Sequence, residues 1–276
     1  MIYLCATPIG NLEDITQRAV RILTECDAVY AEDTRRTLVL LNHLGIKKPV
    51  FSCHEHNERH KAKEIVARSA AGETIAVVSD AGMPGISDPG AAVVAAAIES
   101  GEPFTVLPGP SAALTAAVLS GLDCGRFVFE GFLPREKRER EARIEALSEE
   151  SRTAILYESP FRLGNTLREL SERLGRERRA AVCRELTKIY EECVRGSLEE
   201  LAERFSEGTK GECVIVLAGA QPGEEEADLE RMLMQMERAV RAGERAKDAA
   251  KRLAKGGITP SALYNEYLRR KRAEEA

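Results

Sequence analysis

Residues 77–90 read VVSDAGMPGISDPG. An apolar run ends at Val78, and the next twelve residues hold three glycines, two prolines and two aspartates. Neither a helix nor a strand tolerates that composition, so the backbone here must turn and hold an irregular path. The run before it, TIAVVS over 74–79, is short and rich in β-branched residues, as a buried strand is. A strand that empties into a glycine-proline loop occurs twice more: IYLCA (2–6) leads into ATPIGN (6–11), and FTVLP (104–108) leads into LPGPSAAL (107–114). AVYAE (28–32) is another strand. Helical patterns lie between, such as 15–25, where Ile15, Ala19, Ile22 and Leu23 share one face. This rhythm predicts an α/β domain with mainly parallel strands over 1–124.

The rhythm changes after Gly125. RFVFEGF (126–132), TAILYES (153–159), AAVCREL (180–186), KIYEECVRG (188–196) and CVIVLAG (213–219) read as strands. The short connections among the later ones predict antiparallel pairing. The charged stretch 134–150 predicts a helix with Pro134 at its first position. A second, mixed α/β domain is therefore expected over 125–219. AQPGEEEAD (220–228) has the composition of a linker. Three short helices are expected in a C-terminal appendage over 228–276. Leu229, Met232, Leu233, Met236 and Val240 form one apolar stripe. Ala246, Ala249, Ala250, Leu253 and Ala254 form another, ended by Gly256 and Gly257. Thr259 is placed to cap a third helix with Pro260 in its first turn, carrying Leu263, Tyr264, Tyr267 and Leu268.

Composition narrows the function. No apolar run is long enough to span a membrane, and MIYLCATPIG carries no basic n-region or cleavage site of a secretory signal. The seven cysteines include no C-x-x-C pair, which argues against disulfides and a zinc cluster and fits a reducing cytoplasm. The net charge of −5 argues against a generic nucleic-acid binder, but residues 244–272 hold nine Lys/Arg against three acids. A basic appendage thus follows an acidic body, which fits an RNA-contacting tail and equally a solvated helical surface.

Three glycine-proline loops at the carboxyl ends of strands converge on one crevice in an open α/β sheet. Their sequences match neither G-x-G-x-x-G nor G-x-x-x-x-G-K-[ST], so the dinucleotide fingerprint and the phosphate-binding loop are both excluded. Small side chains and accessible backbone suit a flat, nucleoside-like ligand. Part of the string has a structural use, because Asp88 is placed to cap a helix beginning at Pro89.

TPIGNLEDIT (7–16), AEDTR (31–35), SDAGMPGISDPG (79–90), PGPSA (108–112), YESPFR (157–162), RELTK (184–188) and KGE (210–212) resemble, in order, the blocks of the ribosomal RNA small subunit methyltransferase I family, within the tetrapyrrole-methylase-like superfamily. Met83, Gly85, Phe161 and Tyr190 depart from the family pattern inside otherwise intact blocks. The resemblance implies two α/β domains with a cofactor cleft between them, S-adenosylmethionine as cofactor, and a homodimer; methyl transfer from an already activated donor requires no metal. It implies 2′-O-methylation of a cytidine ribose in 16S rRNA of the small ribosomal subunit. It also places the cofactor against Pro8, Asp80, Ala81, Gly82, Pro84, Ile86, Ser87, Ala112 and Tyr157.

Methyl transfer to a ribose hydroxyl needs a proton acceptor. The residues offer His54, in CHEHNE (53–58), Glu32 or Asp33, in EDTRR (32–36), and Glu158, in YES, without choosing among them. Arg35, Asn57, Arg162, Arg184 and Lys188 are the candidate RNA contacts, Arg35 being equally suited to an ion pair with Glu32 or Asp33. Two other functions remain compatible with these residues: a tetrapyrrole C-methyltransferase with the same cofactor, and a non-catalytic sensor of a nucleoside ligand.

Overall fold

The computed structural model describes residues 1–220, 224–254 and 258–274. These divide into two compact units, Met1–Gly219 and Ala220–Ala276.

The first unit begins with a parallel sheet of β1 (Ile2–Cys5), β2 (Ala28–Ala31), β3 (Val50–Ser52), β4 (Ile75–Val78) and β5 (Phe104–Leu107). Their spatial order is β3-β2-β4-β1-β5. β2 and β4 are buried at every residue, because helices cover both faces of the sheet. On one face α1 (Gln17–Glu25) and α2 (Thr34–His43) lay Ala19, Ile22, Leu23 and Leu41 against Val29 and Ala76. On the other, α3 (Glu58–Ala70) and α4 (Ala91–Ser100) lay Ala62, Ile65, Val93 and Ala97 against Tyr30 and Val77. The sequence alone predicts four strands here. The fifth, β3, is three residues long and only partly buried, too short to show an apolar period.

The next helix, α5 (Ala112–Ser120), leaves this sheet. It packs on a second one, where Ala113, Ala116 and Ala117 meet Ile155, Ala181, Val214 and Val216. That sheet holds β6 (Phe127–Phe132), β7 (Thr153–Glu158), β8 (Arg179–Arg184), β9 (Glu192–Ser197) and β10 (Cys213–Leu217), in the order β6-β7-β10-β8-β9. β6 and β7 are parallel, whereas β10 is antiparallel to β7 and β8, and β8 to β9. α6 (Lys137–Glu149), α7 (Leu163–Leu174) and α8 (Leu198–Arg204) cover the face opposite α5.

α8 starts with a reciprocal cap. The Ser197 hydroxyl accepts the Glu200 N–H at 3.2 Å, and the Glu200 carboxylate accepts the Ser197 N–H at 2.8 Å. Ser197→Ala is expected to cost about 1 kcal/mol and to lower the melting temperature by roughly 2–4 °C in a thermal scan.

Three local expectations differ from the structure. Pro134 does not open α6: the helix begins at Lys137, where the Glu136 carboxylate accepts the Glu139 N–H at 2.8 Å. Asp88 does not cap α4. The Glu58 carboxylate, reaching from α3, takes the Gly90 and Ala92 N–H groups at 2.6 and 3.0 Å. This leaves Asp88 free of the helix. Lastly, the linker composition of 220–228 gives way to helix, since α9 begins at Glu224.

In the second unit, α9 (Glu224–Arg241), α10 (Ala246–Leu253) and α11 (Pro260–Glu274) bury Met232, Leu233, Met236, Ala249, Ala250, Leu263 and Tyr267 in a small core. Thr259 caps α11 by accepting the Ala262 N–H at 3.2 Å. The expected stop at Gly256 and Gly257 lies outside the described residues.

Candidate active site

The strand-end loops of the first sheet meet. Thr7 and Gly82 exchange two backbone hydrogen bonds, at 2.9 and 3.0 Å. The Thr7 hydroxyl donates to the Ser79 carbonyl at 3.1 Å, and the Ser79 hydroxyl donates to the Gly82 carbonyl at 2.9 Å. The loop after β1 is pinned to the second sheet as well. The Asn11 N–H reaches the Thr187 hydroxyl at 3.0 Å in the β8–β9 turn. A Cβ on Gly10 would stand 2.6 Å from Cγ of Lys188 and 2.7 Å from the Leu186 carbonyl oxygen, so no larger residue fits this crossing.

A cavity of about 530 Å³ opens between the two sheets. The loop after β4 contributes Ala81, Gly82, Ile86, Ser87 and Asp88. The first turn of α5 adds Ser111 to Leu114, with opening amides that precede the helix's own hydrogen-bond ladder. The second sheet supplies Phe129, Phe132, Tyr157 and Val214. Tyr157 stands edge-on to Phe129 and Phe132, with ring centroids 5.1 and 5.6 Å away. Burial pushes the Tyr157 phenol above its ordinary pKa, and the Ala113 amide opposes the shift.

Of the residues expected at a cofactor, Ala81, Gly82, Ile86, Ser87, Ala112 and Tyr157 line this cavity. Pro8 and Asp80 line a separate one of about 100 Å³, with Arg36 and Thr37. Pro84 is buried and lines neither.

The four expected proton acceptors are dispersed. Glu158 borders the large cavity, but its carboxylate is sealed: Thr166 donates to it at 2.6 Å, the Ser159 N–H at 2.8 Å, and Arg162 stands 3.4 Å away. Thr166→Val removes that hydroxyl and is expected to cost roughly 1–3 kcal/mol in denaturant unfolding. Asp33 caps α2 by accepting the Arg35 N–H at 2.9 Å and pairs with the Arg35 guanidinium at 2.6 Å. The Arg35 side chain pulls its carboxyl down to about 2, which makes it a weak proton acceptor. Glu32 keeps one carboxylate oxygen buried without a partner, and burial, then Asp80, raise its pKa. His54 buries Nδ1 without a partner. Neither Glu32 nor His54 lines the cavity.

The candidate RNA contacts are engaged inside the chain. Asn57 accepts the His54 N–H at 2.9 Å, Arg184 pairs with Glu192 at 2.6 Å, and Lys188 pairs with Glu185 at 2.9 Å and Glu212 at 3.5 Å. Arg162 belongs to the Glu158 cluster.

The residue that the sequence reading missed is Asp88, given there to a helix cap. It lines the cavity, and its carboxyl is pushed up to about 7 by burial first and then by Glu32, Asp80 and Glu212. The signal lay in the same string, where an Asp ahead of Pro-Gly serves a cap or a site equally well. Among the described residues no group of three or more His, Cys, Asp or Glu side chains could hold a metal ion, and no helix is long and apolar enough to cross a membrane.

The two-sheet architecture is that of the tetrapyrrole methylases. The family model described as "Tetrapyrrole (Corrin/Porphyrin) Methylases" matches residues 1–202. Uroporphyrin-III-C-methyltransferase from Thermus thermophilus superposes with a TM-score of 0.57 at 21% identity, covering 79% of this chain and 93% of its own. Within that superfamily, the chain belongs to the ribosomal RNA small subunit methyltransferase I family. The Halalkalibacterium halodurans member is 46% identical over 96% of this chain and 94% of its own. The Synechocystis member is 49% identical over 80% of each chain.

Proposed function

We propose that the chain transfers the methyl group of S-adenosylmethionine to the 2′-hydroxyl of a cytidine in 16S rRNA, acting on the small ribosomal subunit in the cytoplasm as a homodimer. The observation that carries this reading is the cavity, set between the two sheets of a chain from this family. Extent supports an RNA substrate over a tetrapyrrole. The Thermus uroporphyrin enzyme covers 79% of the chain, whereas the Halalkalibacterium rRNA methyltransferase covers 96%.

The residues present fit the cofactor. Apolar walls from Ala81, Leu186 and Val214 suit a flat base. In the first turn of α5 the Leu114 amide is taken by the Ser111 hydroxyl and the Ala113 amide by the Tyr157 phenol, so the Ala112 amide is the one offered to a polar edge. The acidic side chain of Asp88 suits a cationic sulfonium. When bound, the cofactor supplies an activated methyl group. The chain's part is to hold donor and acceptor in line, which is worth up to roughly 7–11 kcal/mol.

RNA would meet the cavity mouth and the basic segment 244–272. Arg35, with a side chain 87% exposed, suits a phosphate contact, whereas Lys188 is held by Glu185 and Glu212. Asn57, Arg162 and Arg184 act by holding the loops that shape the approach. In the C-terminal unit, Arg252 and Arg270 are tied to Glu244 and Glu230, while Lys247, Lys251 and Lys271 are exposed and suit phosphate. A single-stranded nucleotide, splayed out, would present its ribose to the cavity.

The test supplies methyl-labelled S-adenosylmethionine with small ribosomal subunits from a strain lacking this protein. Label on the ribose of a 16S cytidine is the expected result. Label on a base, or on a tetrapyrrole precursor in place of RNA, would overturn the reading.

A further inference from the structure

β8 and β9 pair antiparallel, and their ladder sets Cys183 directly opposite Cys193. The flanking rungs hold that register: Arg184 pairs with Glu192 at 2.6 Å on one side, and Val182 faces Val194 on the other. A slip of one residue would send the two sulfurs to opposite faces of the sheet. In place, the Cys183 Sγ donates to the Cys193 Sγ at 3.3 Å, and both thiols are free. No other two sulfurs are in hydrogen-bond contact among the described residues.

The pair has a sheltered member and an accessible one. Cys183 is buried under α5, with Sγ 3.8 Å from the Ala116 carbonyl oxygen. Cys193, on the edge strand β9, is partly exposed, with Sγ 3.5 Å from the Leu119 carbonyl oxygen. Burial, then Cys193, hold the Cys183 thiol well above its ordinary pKa, so it stays protonated. Arg195 lies two residues from Cys193 on the same face of β9, where its positive charge favours a thiolate.

We propose that Cys183 and Cys193 form a reversible oxidation site, at which a peroxide converts the two thiols into a cross-strand disulfide. Directly opposed residues of an antiparallel pair have Cα atoms roughly 4.5–5.5 Å apart, inside the roughly 4.4–6.8 Å that a disulfide spans. Closure therefore moves sulfurs and not strands. Neither cysteine lines the large cavity, so the site stands independently of the methyl-donor reading.

The step balances. The Cys193 thiolate sulfur bonds to one peroxide oxygen, the O–O bond breaks, and the other oxygen leaves as hydroxide. The Cys183 sulfur then bonds to the Cys193 sulfur, and the S–O bond breaks. The departing oxygen takes the Cys183 proton and leaves as water. Two thiols are oxidised by two electrons, and the peroxide is reduced to water. The sulfurs already touch, so the second bond forms within one chain before further peroxide can carry Cys193 to the sulfinic acid.

The two cysteines fall in different tryptic peptides, 180–184 and 189–195, so mass mapping reads the bond directly. The full chain is reduced, treated with hydrogen peroxide, alkylated and digested. The expected product is the two peptides joined, lighter by two hydrogens, and separated again by dithiothreitol. Cys183→Ala should stop at the sulfenic acid of Cys193, trapped with dimedone. Cys193→Ala should slow oxidation of Cys183 about tenfold or more, because the remaining thiol is buried and protonated. A wild type that keeps both thiols under peroxide overturns the proposal. A bond from either cysteine to a different one overturns it as well, and so does a Cys193 carried to the sulfinic acid while Cys183 stays free. The wild-type map decides even where an alanine variant fails to fold.

Discussion

Gly90→Ala is expected to destabilise the first unit by roughly 2–5 kcal/mol, with a fall in melting temperature on the order of 10 °C. Gly90 has a φ of +143°, which L side chains rarely adopt. A Cβ there would also meet Gly85 N at 2.7 Å and Gly85 Cα at 3.1 Å. Both are backbone atoms, so relief requires moving the whole loop. That loop is closed on itself, because the Gly85 N–H donates to the Pro89 carbonyl at 3.1 Å. It carries Ile86, Ser87 and Asp88 into the cavity. Cofactor affinity should therefore fall at least about tenfold along with stability. Thermal scans and ligand titration of the same sample check both, and an alanine variant with wild-type melting and affinity would show that the loop tolerates the side chain.

Ala112→Trp should separate binding from folding. Ala112 opens α5 and lines the cavity. The neighbours that anchor the helix are Ala113, Ala116 and Ala117, buried against the second sheet. An indole at 112 therefore extends from the helix start and fills space meant for ligand. Stability should stay within about 1 kcal/mol of wild type. Affinity for S-adenosylmethionine should drop about 100-fold or more, equivalent to roughly 2.7 kcal/mol, and methyl transfer should fall with it. Unchanged affinity would place the ligand elsewhere.

Much of the fold could be read in the sequence because buried parallel strands write themselves as unbroken apolar runs. β2 and β4 are apolar throughout, and their loops begin at abrupt changes of composition. β3 escaped because three half-exposed residues carry no period. The loop convergence was legible in the repetition of glycine and proline after three strands. What lay beyond reach was direction. Asp33 and Asp88 are both acids at a loop-to-helix junction, yet one caps and the other faces the cavity. The difference is made by Glu58, a residue 30 positions away from Asp88 that supplies α4 with its cap. Similarly, α5 follows the first sheet in sequence but serves the second, a choice set by packing between alanines and β10 rather than by local pattern.

The most direct test of the cavity's role is calorimetric titration of the full chain with S-adenosylmethionine, repeated with Ala112→Trp and with S-adenosylhomocysteine as competitor. Saturable uptake by the wild type, displaced by the competitor and lost in the variant, is the predicted result. A flat wild-type titration, or uptake that Ala112→Trp leaves unaltered, would contradict it.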